Sequence, residues 1–150
     1  MRKKLIPCIA IAAAIFMIAS CQKSIDDFAT TGNTNAAYTV ANISGTYSLK
    51  SLTWTYLGTS ISVYDSLDAC EKDDLYKFNT NMTLDLIDAG IVCSPPGTDT
   101  EPWLLRNDSI FLGASTSGAK IKSFDGTTLV LSGTPVSDPG VNAVTTFVKK

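Results

Sequence analysis

From Ile43 onward the chain alternates apolar and polar residues in short runs, each ended by turn-forming residues. This cadence constrains the fold more than any other feature. Period-two runs joined by tight turns make antiparallel strands and leave no stretch long enough for a packed helix. In Gly45-Thr46-Tyr47-Ser48-Leu49, Tyr47 and Leu49 share one face, whereas Leu52, Trp54 and Tyr56 alternate in the opposite phase. A phase change inside one run predicts a β-bulge near Lys50-Ser51. Ile61 to Tyr64 reads as a short second strand, and Asp65 to Asp74 as an acidic loop. Leu75 to Phe78 and Thr83 to Ile87 form the clearest hairpin, turning at Asn79-Thr80-Asn81. Further strands are expected at Pro102 to Leu105, Ser109 to Leu112, Ala119 to Phe124, Thr127 to Leu131 and Val144 to Val148. Asp125-Gly126 is the strongest short hairpin signal among the turns between them. The fold class expected is all-β. It is an antiparallel meander closing into a small barrel of about eight strands, because closure removes exposed edges.

The first forty residues belong to another regime. Arg2, Lys3 and Lys4 precede an uncharged apolar run from Leu5 to Ala19, too short for a transmembrane helix and matching an export signal. The run ends in Ile18-Ala19-Ser20-Cys21. This resembles the lipobox of bacterial lipoproteins, in which an aliphatic residue, two small residues and a cysteine are read by a lipid transferase and a dedicated signal peptidase. The resemblance implies removal of residues 1–20 and lipidation of Cys21 by a diacylglycerol thioether and an N-acyl chain such as palmitate. Two or more chains give stable membrane anchoring where one does not. The expected location is the cell envelope, at the outer membrane, facing either side. Residues 21–42, with the polar cluster Thr30 to Asn35, read as the lipidated N-terminus and a flexible tether, and residues 43–150 as the domain.

Removing the signal leaves 130 residues, enough for one domain, with nine basic against fourteen acidic residues. That balance offers no basic stripe, so nucleic acid is not expected as a partner. The chain contains no histidine. A Ser-His-Asp or Cys-His site and a His-bearing zinc site are therefore excluded.

With Cys8 removed and Cys21 lipidated, Cys70 and Cys93 remain as an even pair in an exported chain, which implies a disulfide. A dithiol metal site would need further ligands. The hairpin supports the disulfide. A turn centred near Asn81 lies eleven residues after Cys70 and twelve before Cys93, so both thiols fall at the open end of one hairpin.

Gly45-Thr46-Tyr47 is similar to the Gly-x-Trp first-strand signature of lipocalin-like domains. Cys70-Glu71-Lys72-Asp73-Asp74, followed by Tyr76-x-Phe78, Asn79-x-Asn81-x-Thr83 and Cys93, resembles the small lipocalin-like lipoproteins of Bacteroidetes. Pro102-Trp103-Leu104-Leu105 and Thr128-Leu129-Val130-Leu131 fall where that group carries later strands. Tyr47 stands where the family has Trp, and Pro102 where it has Gly. The resemblance covers residues 43 to 149 and implies a barrel with a possible ligand cavity.

Asp65, Asp68, Glu71, Asp73 and Asp74 form the densest carboxylate cluster. They lack the ordered spacing and Gly of an EF-hand, so a solvated acidic loop is expected rather than a Ca²⁺ site. No catalytic residue, metal ligand or cofactor is assigned. Most aromatics are expected to fill the barrel. Trp54 and Tyr56, at the far end of the first strand, and Trp103 are the candidate ligand-binding residues. The expected function is a non-enzymatic, membrane-anchored envelope lipoprotein binding a small apolar ligand or an envelope protein. The alternatives are a hydrolase using a carboxylate pair, or a purely structural interaction module. A ligand carrier would need an empty apolar cavity of roughly 300 Å³ or more.

Overall fold

A computed structural model describes residues 38–135 and 137–150. The signal, Cys21 and the tether up to residue 37 lie outside the described residues. Among the described residues nine strands and two short helices follow in the order α1 (Val40–Ile43), β1 (Gly45–Tyr56), β2 (Thr59–Ser62), a 3-10 turn (Tyr64–Ser66), α2 (Ala69–Lys72), β3 (Leu75–Phe78), β4 (Thr83–Ile87), β5 (Asp99–Arg106), β6 (Ser109–Leu112), β7 (Ala119–Phe124), β8 (Thr128–Gly133) and β9 (Asn142–Lys149). All strand pairs are antiparallel, and β1 pairs with β9 as well as with β3. Strands β1 and β3 to β9 thus close an eight-stranded barrel, and β2 folds back on the upper half of β1.

The twelve-residue β1 organises the closure. Its lower half pairs with β3 from Gly45 to Ser48, its upper half with β2 from Thr53 to Tyr56, and nearly its whole length with β9. The β1–β9 register shifts between Leu49 and Ser51, which is the expected bulge. One extra residue flips the phase. Leu49 is opposite Phe147, Leu52 opposite Thr145 and Trp54 opposite Ala143, so the inward face of lower β1 continues up through Leu52, Trp54 and Tyr56.

The barrel has a closed lower end and an open upper end. At the lower end α1 sends Ile43 into the core, with Tyr38 and Val40 packed against it. The Tyr47 hydroxyl donates to the Ile43 carbonyl at 2.6 Å, and burial pushes its phenol pKa up to about 12. Lys149 Nζ donates to the Asn42 carbonyl at 3.0 Å and lies over the Tyr47 ring. Gly45, at φ +150°, leaves the space the Lys149 stem occupies. Above this cap Tyr47, Phe78 and Trp103 pack edge to face, with ring centroids 5.7 Å and 5.2 Å apart. That geometry favours aromatic quadrupoles.

The strands at Leu75–Phe78, Thr83–Ile87, Ser109–Leu112 and Ala119–Phe124 stand where the alternation put them. Three expectations shift. The second strand is Thr59–Ser62 rather than Ile61 to Tyr64, because the chain turns at Leu57-Gly58 with positive φ at both residues, 48° and 81°. Paired positive φ is the type I′ pattern, which matches strand twist but is unusual for leucine. Val40 to Asn42, read as the end of the tether, form a helical turn instead, with the Thr39 side chain accepting from Asn42 N at 3.1 Å. The Asp65 to Asp74 stretch carries a 3-10 turn and α2, whose start is secured by a capping box between Asp68 and Glu71.

Candidate functional site

The upper end gathers the features that the core does not use. The β1–β2 hairpin rises above the barrel, with Tyr56 56%, Leu57 87% and Ile61 58% exposed. Trp54, Tyr56, Leu57, Thr59, Ile61 and Val141 line an apolar groove of 310 Å³ there. The register explains the grouping. Trp54 is opposite Ile61, and Tyr56 opposite Thr59, so the aromatics and Ile61 share the inward-facing side of the hairpin.

A second hollow, of 140 Å³, opens inside the barrel at the same end. Tyr76, Phe78, Leu84, Leu86, Leu112, Leu131 and Phe147 form its apolar wall, and Asp99 and Glu101 add two carboxylates. Strands β3 and β5 begin here and β4 and β6 end here, since Leu75 is opposite Ile87 and Leu86 opposite Asp99. Glu101 lies two and four residues before the buried Trp103 and Leu105, so the pleat turns all three inward. Gly113, at φ +58°, makes room for it: a Cβ there would lie 2.8 Å from Glu101 Oε2. Among the described residues the Glu101 carboxylate accepts no hydrogen bond and makes no ion pair.

Of the three aromatic candidates, Trp54 and Tyr56 come together in the groove and Trp103 does not join them. Trp103 is 0% exposed, packs edge-on to Phe78, and donates from Nε1 to the Asn79 carbonyl at 3.1 Å. It lies below the hollow, behind Phe78, which lines it.

Cys70 and Cys93 form a disulfide with a Cα separation of 5.3 Å, linking α2 to the segment after β4. The acidic cluster beside it is not simply a solvated loop. Asp73 accepts from Ile91 N at 2.9 Å and Asp74 from Ala89 N at 3.4 Å. Asp88 accepts from Cys93 N at 3.2 Å and from Gly97 N at 2.9 Å. Carboxylates here satisfy backbone donors of a loop that has no strand partner. Asp74 is only 7% exposed. Burial raises its pKa, and Asp88, Asp73 and Glu71 push it the same way against the Ala89 hydrogen bond. Among the described residues no group of three or more Cys, Asp or Glu is gathered to hold a metal ion.

The inward carboxylate Glu101 is the residue that sequence reasoning missed. Its signal was readable: Glu101, Trp103 and Leu105 occupy one period-two face, so an inward Trp implies an inward Glu. No family model matches the chain, and no curated protein matches it.

Proposed function

We propose that the chain is a non-enzymatic envelope lipoprotein of the lipocalin-like kind. It is anchored in the outer membrane through lipid on Cys21 and takes an apolar group at the open end of its barrel. The observation that carries the binding reading is the apolar hollow inside the mouth, bounded by Leu86, Leu112, Leu131 and Phe147. Ligand sites favour concave apolar walls with a few polar groups at the rim. At 140 Å³ the hollow is well below the roughly 300 Å³ of a drug-sized site, so the bound group is small. Trp54 and Tyr56 stand at the same end as a further aromatic wall. The lipobox at Ile18 to Cys21 supports the anchor, and the disulfide-tied hairpin within a closed barrel supports the family resemblance.

A second reading is favoured by one feature. Leu57, at the hairpin tip, is 87% exposed and adjoins Tyr56 and Ile61, a clustering that marks protein contact surfaces. Native mass spectrometry of the protein purified from its own host separates the two. A small-molecule adduct displaced by replacing Leu112 or Leu131 with a larger side chain supports the first reading. A protein adduct lost on Leu57→Ser supports the second. Binding at neither place overturns both.

A further inference from the structure

We infer that the mouth of the barrel selects a small organic cation: an ammonium group carrying an apolar part about the size of one benzene ring. This rests on the reading that the mouth binds an apolar group and specifies its charge. Three observations combine. The hollow measures 140 Å³, and a cavity of about that size walled by Leu, Ile and Phe accepts a benzene-sized molecule. Among the described residues its charged lining residues are Asp99 and Glu101, both acidic. The Glu101 carboxylate faces inward on the same side of β5 as Trp103 and Leu105, with no protein donor among the described residues.

A carboxylate turned toward an apolar wall is costly unless something donates to it. The barrel tolerates Glu101 because the mouth is open to water, and Gly113, having no Cβ, leaves the space that Glu101 Oε2 occupies. Asp99 is partly engaged, accepting from Thr100 N at 2.8 Å, so Glu101 is the principal acceptor for an incoming donor. An ammonium has three donors and no acceptor and suits two acceptor-only groups. A carboxylate of the same shape meets like charge at the rim, and an alcohol can donate one hydrogen bond to Glu101 but brings no positive charge to pair with it.

The test uses the full mature chain carrying Cys21→Ser, so that it is soluble without lipid, with labelled leucine methyls followed by NMR. Phenethylamine, phenethyl alcohol and hydrocinnamate share one ring and differ in charge. Phenethylamine should shift the methyls of Leu86, Leu112 and Leu131 and bind about tenfold or more tightly than the alcohol, as an opposite charge facing the two carboxylates implies. Hydrocinnamate should bind more weakly than either. Glu101→Gln should weaken the amine several-fold, narrowing its lead over the alcohol, and weaken the alcohol less. The comparison of the three probes on the unaltered mouth needs no variant, so misfolding of Glu101→Gln does not blunt it. Equal binding of amine and alcohol overturns the charge selection and leaves mouth binding standing. If none of the three probes moves these methyls, mouth binding falls with it.

Discussion

Replacing Cys70 and Cys93 together by serine removes a covalent constraint on the upper end. The bond closes a loop of about 24 residues, and the loop-entropy relation gives about 3.4 kcal/mol of stabilisation, exerted on the unfolded chain. Native geometry should survive the change, because hydrogen bonds from Ala89 N to Asp74 and from Ile91 N to Asp73 already join the same two segments. The full entropic term should therefore appear as lost stability. Domains of 60–100 residues shift by roughly 4–8 °C per kcal/mol and larger ones by less, so the midpoint should fall by about 10–20 °C. The assay is thermal melting followed by circular dichroism, with and without reductant. The unaltered protein in reductant should melt with the double variant, and reductant should leave the variant unmoved. A shift below about 3 °C, with the bond shown to form and break on non-reducing gels, would refute the loop-entropy reasoning. Free alkylation of both cysteines in the unreduced native protein would refute the pairing itself.

Tyr47→Phe strands the buried Ile43 carbonyl and should cost about 1–3 kcal/mol, read from denaturant midpoints at constant slope. The same residue gives an alkaline signature. With its folded pKa raised to about 12, Tyr47 contributes stability that is present below the ordinary tyrosine value and lost as pH rises through the folded one, a loss the Phe variant should lack. Asp74→Asn keeps an acceptor for Ala89 N and removes repulsion from Asp88, Asp73 and Glu71. Because the folded pKa of Asp74 is raised, its ionised form weighs against the fold at neutral pH. The Asn variant should melt higher there, with the gain shrinking as pH falls towards about 4. Cys21→Ala should leave an unlipidated precursor that no longer partitions into Triton X-114 as the mature form does; unchanged processing and partitioning would sink the lipoprotein reading.

Much of the barrel was legible because its information is local. Period two identifies the faces of Leu75–Phe78, Thr83–Ile87 and Ser109–Leu112 without reference to any partner, and the phase change after Leu49 marks the bulge for the same reason. The disulfide was legible because a hairpin brings together residues equally far from its turn. The turn at Leu57-Gly58 was hidden, since leucine at positive φ contradicts its own propensity, and the turn shows only in the β1–β2 register that flanks it. The roles of Asp73, Asp74 and Asp88 were hidden too. Composition shows charge, and only the folded loop shows which amides need an acceptor. Pattern assigns an inward side to each strand. It does not say whether the facing side chains meet, as Phe78 and Trp103 do, or stop short and leave a hollow at Leu112 and Leu131. That difference depends on the joining of β1 to β9, nearly a hundred residues apart, which sets the barrel's width and where its filling ends.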